Sequence, residues 1–246
     1  MRNYDDIVRR VEILNRPYFH RQTLGEVEGY PVFKVTLDDG HVRPTVLVIG
    51  GTHGDEPAGV EAALAFLEQD QSLRLEALRF EVIPCLNPYG YTHNTRHNRQ
   101  DVDINWAFQR EDVPEAGIVR RLVEGRRFEA FIDLHEDWES PGYYMYEVRR
   151  EGKRIGPDMV GRIAEVCPVN TNPCIEGAAA RAGVISPDLD AEVMRRGEGI
   201  PISIFHRHTD HLITSETPSG QPMGSRIQAH LIALDAMIGA HAGGRG

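Results

Sequence analysis

Along this chain, runs that are apolar at nearly every position alternate with stretches in which apolar residues recur every three or four positions. TVLVIGG (45–51), LRFEVIPCLN (78–87) and FEAFIDLH (128–135) are of the first kind, the pattern of strands covered on both faces. YPVFKVTLD (30–38), GYYMYEV (142–148), PISIFHR (201–207) and HLITSE (211–216) predict further strands. Val60, Ala63, Leu64 and Leu67 repeat at helical spacing and predict a helix over 56–68, with Pro57 acceptable in its first turn. Helices are also expected near the N-terminus and over 114–127, 155–166 and 223–239. The segment NPYGYTHNTRHNRQDVDINW (87–106) has little regular periodicity, and a structureless stretch of that length inside a compact unit is usually functional. Strands alternating with helices imply an α/β fold: a mixed, mostly parallel twisted sheet with helices on both faces. The close spacing of 201–207 and 211–216 is the feature that makes the sheet mixed. No internal repeat divides the 246 residues, and one domain over 1–246 is expected.

Composition changes this picture little. With 41% hydrophobic and 26% charged residues the chain has the make-up of a folded globular protein, which excludes a disordered or coiled-coil chain. A formal net charge of −10 argues against nucleic acid or an anionic membrane as partner, while leaving room for a local basic pocket. The opening MRNYDDIVRR is charged, and no stretch approaches the roughly 18 apolar residues of a membrane span, so the cytoplasm is the expected location. Cys85, Cys167 and Cys174 are odd in number and form no CxxC pair, which points to free thiols. Oligomeric state is open.

The chemistry lies in where polar residues stand. His53 follows the strand 45–51, Asn87 ends 78–87, His135 ends 128–135 and Glu216 ends 211–216. In open α/β sheets ligands bind outside the carboxyl ends of the strands, so four such residues can converge. Catalytic zinc takes three protein ligands and leaves a fourth position open. His53 and Glu56, three apart in GGTHGDEP, can point the same way from a first helical turn, and His135 is the distant partner. Two histidines and a glutamate favour zinc over magnesium or calcium, which prefer oxygen alone. Each residue also has a plainer reading. HxxE can be a helix cap, His135 a hydrogen-bonded structural histidine, Glu216 the punctuation of a turn, and Asp133 and Glu136 solvated charges.

The ordered set GTHGDE (51–56), NPYG (87–90), RHN (96–98), DVDIN (101–105), DLH (133–135) and SETP (215–218) resembles the zinc carboxypeptidases of the carboxypeptidase A type. Their relatives succinylglutamate desuccinylase, aspartoacylase and the murein peptide amidases share the resemblance. It implies a zinc-carboxypeptidase-like fold and one zinc ion held by His53, Glu56 and His135. Glu216 matches the glutamate that takes a proton from water and delivers it to the leaving nitrogen. Arg96 matches the arginine that polarises the scissile carbonyl and binds substrate, with Arg99 a rival. Asp103 matches the carboxylate that orients the first zinc histidine, and Asn105 an asparagine that binds a substrate carboxylate.

Trp106 breaks the pattern. Peptidase members carry there an arginine that clamps the substrate's terminal carboxylate, and an indole has one N–H and no charge. Either Trp106 only packs and Arg99, Arg110, Arg181 or Arg207 supplies the charge, or the substrate differs. Tyr143, Tyr144 and Tyr146 read as strand packing, and HRHTDH (206–211) as a polar turn rather than a second metal site. The resemblance therefore implies a zinc-dependent hydrolase of a linear amide, first as a metallocarboxypeptidase acting on small peptides. The alternatives are an N-acyl amino acid deacylase and a catalytically inactive metal- or ligand-binding relative.

Overall fold

The computed structural model of the protein describes residues 2–243. Helix α1 (Tyr4–Glu12) precedes the hairpin of β1 (Phe19–Val27) and β2 (Tyr30–Leu37). There follow β3 (Thr45–Gly50), α2 (Pro57–Glu68), α3 (Ser72–Leu75), β4 (Arg79–Ile83), α4 (Pro88–His93), a 3-10 turn (Ile104–Trp106) and α5 (Pro114–Val123). Next come β5 (Ala130–Asp137), β6 (Tyr144–Arg149), α6 (Gly156–Ile163) and the short strands β7 (Cys174–Ile175), β8 (Ala178–Arg181) and β9 (Val184–Ile185). The last elements are α7 (Leu189–Arg196), α8 (Ile200–His208), β10 (His211–Pro218) and α9 (Met223–Ala242).

All ten strands join one sheet in the order β1-β2-β4-β3-β5-β10-β6-β9-β8-β7. Its centre, β4-β3-β5-β10, is parallel, while β1 and β2 pair antiparallel with their neighbours and β6 runs antiparallel to β10 and parallel to β9, so the expected mixed α/β sheet is present. Alternation along β3 shows why its sequence is apolar throughout. Val46 and Val48 pack into a core with α1, α2, α6 and α9, whereas Leu47 and Ile49 pack on the opposite face with α5 and α8. Phe66 of α2 meets Phe80 of β4 edge to face at 5.5 Å, and both are buried. Truncating a core side chain such as Leu64 to alanine costs about 2–5 kcal/mol.

Helix α9 lies against β10 through polar contacts as well as apolar ones. His230, fully buried, contacts Ser215 Oγ at 3.0 Å and Thr217 Oγ1 at 3.2 Å, and Ser215 Oγ lies 3.0 Å from the Tyr143 hydroxyl. Tyr143 is thus a buried packing residue, as its place in an apolar run implied.

Several elements differ from the sequence expectation. Residues 201–207 form part of α8, not a strand. Pro201 sits in the first turn, and Ile200, Ile204 and Phe205 recur at helical spacing against α5, a period hidden in a short apolar run. The mixed character of the sheet therefore comes from β1, β2, β6 and β8 rather than from a pair at 201–216. Strand β1 carries exposed polar side chains at the sheet edge and gives no burial pattern to read. Within 87–106, α4 and the 3-10 turn break what reads as one loop. Asp133 and Glu136 are buried, not solvated. All three cysteines are free, with Cys174 exposed. Among the described residues no helix is long and apolar enough to cross a membrane.

Burial lowers the pKa of His230 to about 3, against roughly 6.5 for a free imidazole. Between those values the unfolded chain takes up a proton that the folded chain does not, so stability is present above pH 6.5 and falls as pH drops. This group alone should cost about 2 kcal/mol between pH 7 and pH 5. Denaturant unfolding across that range should show a shallower acid loss in His230→Gln than in the wild type. Equal slopes would show that His230 is not held neutral.

Candidate metal centre

The site is built at the carboxyl ends of β3, β5 and β10. Beyond β3 the chain turns through Gly54, which packs so closely on α4 that an added Cβ would fall 1.8 Å from the Gly90 carbonyl carbon. Glu56 caps α2, with Pro57 at the first helical position, so His53 and Glu56 project from one turn. On β10, Ser215 and Thr217 face α9, which leaves Leu212, Thr214 and Glu216 on the opposite face, lining a cavity of about 310 Å³. Glu216 is the register partner of His135 across the parallel β5–β10 pair.

Three side chains meet at the cavity floor. The Nδ1 atoms of His53 and His135 lie 3.1 Å apart; Glu56 Oε1 is 2.7 Å from the first and Oε2 is 2.9 Å from the second. One donor atom from each residue falls within 4.8 Å of the others, and all three residues are buried. The outer nitrogens have carboxylate partners: His53 Nε2 lies 3.0 Å from Asp103 Oδ1 and His135 Nε2 3.0 Å from Asp133 Oδ2. The first is a hydrogen bond; the second is within ion-pair range but poorly aligned for one.

This arrangement fits a cation. With the Nε2 protons on the sides of Asp103 and Asp133, two Nδ1 lone pairs and a carboxylate face one another across about 3 Å, a repulsive contact unless a positive charge lies among them. Burial works against charge on both imidazoles, yet Glu56 and Asp103 raise the pKa of His53, and Asp133 and Glu56 raise that of His135. Burial likewise favours the neutral Glu56, but the two histidines outweigh it and hold its pKa well below the carboxylate range. The same negative field suits a divalent ion. Two nitrogens and one oxygen match zinc better than an all-oxygen metal. Among the described residues this is the group able to hold a metal.

Arg96 lines the cavity beside this group. Its Nη1 donates to Glu56 Oε1 at 3.0 Å and its Nε to Asp103 Oδ2 at 3.2 Å. Its backbone carbonyl accepts from Gly54 N–H and from Asn87 Nδ2. Asn87 therefore does not join the cluster: it is buried, caps α4 by accepting from Gly90 N–H at 2.8 Å, and secures the loop that carries Arg96. Arg99 turns away, stacked over Tyr89 and 4.0 Å from Glu28. Asp103 also accepts from Asn105 N–H at 3.1 Å. Asn105 and Trp106 line the cavity, and the Asn105 side-chain oxygen Oδ1 is buried without a partner. Glu216 is half-buried at the same wall. Burial and the nearby Glu56 carboxylate push its pKa well up, against the opposing pull of His135.

Some cavity residues carried no signal in the sequence. Asp133, two residues before His135 on one strand face and expected to be a solvated charge, lies buried 3.0 Å from His135 Nε2. Tyr144, Tyr146, exposed Trp138, Arg195 and Arg196 also line the cavity. The histidine run does not gather there: His206 meets Glu198, His208 the Arg126 carbonyl, and His211 is buried between Glu147 and His241.

Residues 42–151 match the model of the succinylglutamate desuccinylase/aspartoacylase catalytic domain. Carboxypeptidase SOL1 of Arabidopsis thaliana is 27% identical over 154 residues, 53% of this chain. Murein peptide amidase A of Vibrio campbellii is 39% identical over 75 residues, 30% of this chain. The matches span 30% and 29% of those proteins' own lengths. Among solved structures, a provisionally assigned metallopeptidase from Shewanella amazonensis superposes with a TM-score of 0.82 at 21% identity, covering 97% of this chain and 92% of its own. The chain resembles the zinc-carboxypeptidase superfamily in sequence and in fold. A metallo-carboxypeptidase from Burkholderia cenocepacia extends the likeness of fold, with a TM-score of 0.71 at 19% identity over 98% of this chain and 70% of its own. Within that superfamily pattern, Trp106 remains the departure.

The cluster predicts that His53→Ala or His135→Ala will not retain stoichiometric zinc after dialysis, and that Asp103→Asn will weaken zinc by about 10- to 100-fold in chelator competition. A His135→Ala protein still holding one zinc per chain would remove His135 from the ligand set.

Proposed function

We propose that this chain is a zinc-dependent hydrolase of a linear amide in a small substrate. The reading is carried by one observation: His53, Glu56 and His135 close on a single point in a cavity that also presents Glu216 and Arg96. Zinc held by those three residues would supply Lewis-acid activation of water and of the scissile carbonyl.

The rest falls to the chain's own groups. Glu216 is a carboxylate whose burial and acidic neighbour make it hold a proton firmly once it has one. That suits a group that takes a proton from the attacking water and returns it to the leaving nitrogen. The Arg96 guanidinium, fixed by Glu56 and Asp103 but 44% exposed toward the cavity, stabilises the oxygen on which negative charge develops. Asp103 serves twice, setting the tautomer of His53 and the orientation of Arg96. Asn105, whose side-chain oxygen Oδ1 is without a partner, is placed to accept a hydrogen bond from substrate. A cavity of about 310 Å³ suits a short peptide or an N-acyl amino acid rather than a folded protein.

Two substrate classes fit this machinery. Release of a residue from the C-terminus of a small peptide is the simpler one, and likeness to a curated carboxypeptidase supports it. Hydrolysis of an N-acyl amino acid is supported by the match to the desuccinylase/aspartoacylase domain and by Trp106 in place of an arginine.

Mass spectrometry of products from a mixture of short peptides and N-acyl amino acids, incubated with zinc-loaded protein, separates them. Loss of C-terminal residues supports the first, and cleavage confined to N-acyl amino acids the second. Glu216→Gln should keep its zinc and lose about a thousand-fold or more in rate, since it removes both proton transfers. No turnover of any amide by fully loaded wild type would make the chain a noncatalytic relative.

A further inference from the structure

The arginines expected to replace the missing charge at position 106 lie elsewhere. Arg99 stacks over Tyr89, Arg110 is bound to Asp112 and Arg207 to Glu198, and none of these, nor Arg181, reaches the cavity. Three arginines do: Arg96, Arg195 and Arg196. Arg96 is held by Glu56 and Asp103, and Arg195 donates to both oxygens of Glu192 at 2.7 Å. Arg196 differs. Its nearest charged partner is Glu192 Oε2, 3.8 Å from Nε and already engaged by Arg195, and its side chain is 38% exposed.

Position 106 explains where Arg196 sits. Its Cζ lies 5.2 Å from the centroid of the Trp106 ring. The ring is itself braced by Gly199, where an added Cβ would come within 2.9 Å of Trp106 Cε3 and 2.7 Å of the Asn105 carbonyl oxygen. A guanidinium resting on an aromatic face keeps its N–H edge free, the geometry suited to taking a carboxylate through two parallel bonds. Asn105, which also lines the cavity, stands next in the chain.

We propose that Trp106 is the platform for Arg196 and that Arg196, brought in from α7, is the specificity-determining cation that receives a carboxylate of the substrate. The positive charge is displaced from residue 106 to residue 196. This deepens the hydrolase reading and rests on it for the identity of the reaction. The subsite itself depends only on Arg196 and Trp106. Exposed α7 buries none of its own residues, so the charge is delivered by a peripheral element rather than by the sheet.

Calorimetric titration with succinate, which the enzyme does not hydrolyse, and with succinamide as the uncharged control of similar shape, tests the subsite in zinc-loaded protein. Arg196→Gln should bind succinate about ten-fold more weakly or worse, with succinamide unaffected and Arg196→Lys intermediate. Trp106→Ala should weaken succinate as well, and adding it to Arg196→Gln should cost little more, because the two act as one unit. Equal succinate affinity in wild type and Arg196→Gln, or no succinate binding by the wild type, overturns the proposal. Zinc content measured on the same samples reports separately on the hydrolase reading. A wild type without zinc would end that reading, while Arg196-dependent succinate binding would stand.

Discussion

The constraint on which the site depends is the cost of burying Glu56. A carboxylate out of water needs its lone pairs met. Oε1 accepts from Arg96 and Oε2 from the backbone N–H of Glu136, while the Nδ1 atoms of His53 and His135 stand 2.7 and 2.9 Å from Oε1 and Oε2. Asp103 in turn fixes His53 and Arg96, and the Asp133 carboxylate stands 3.0 Å from His135 Nε2. The network leaves its two imidazole Nδ1 atoms directed at each other, so its charge is balanced only by protons or by a cation between them.

The fold supplies this geometry from its periphery inward. Parallel β3, β5 and β10 bring His53, His135 and Glu216 to one edge, and alternation on β10 assigns Ser215 and Thr217 to α9 and Glu216 to the cavity. The polar segment between β4 and α5 crosses the same edge, pinned by Asn87, and contributes Arg96, Asp103, Asn105 and Trp106. The far wall comes from the short strands and α7, through residues such as Ala178, Glu192, Arg195 and Arg196.

What could be read in advance follows how local each signal is. The buried central strands are continuous apolar runs, and His53, His135 and Glu216 stand at their ends, so the sheet and the cluster were legible together. The roles of Arg96, Asp103 and Asn105 came only through resemblance, because spacing in an irregular segment does not say which side chain turns inward. Residues 201–207 misled because a run as short as this, with Ile202, Ile204 and Phe205 its apolar core, fits a strand and a helix equally well. Arg196 was invisible for another reason. Its partner is 90 positions earlier, and an exposed arginine on a polar helix gives no pattern until Trp106 is found beneath it.

Zinc K-edge X-ray absorption on protein loaded with one equivalent addresses the centre most directly. Binding by His53, Glu56 and His135 requires a first shell of two imidazole nitrogens with carboxylate oxygen at about 2.0–2.2 Å and no sulfur. A shell of oxygen alone, a sulfur at about 2.3 Å, or protein that takes up no zinc would contradict it.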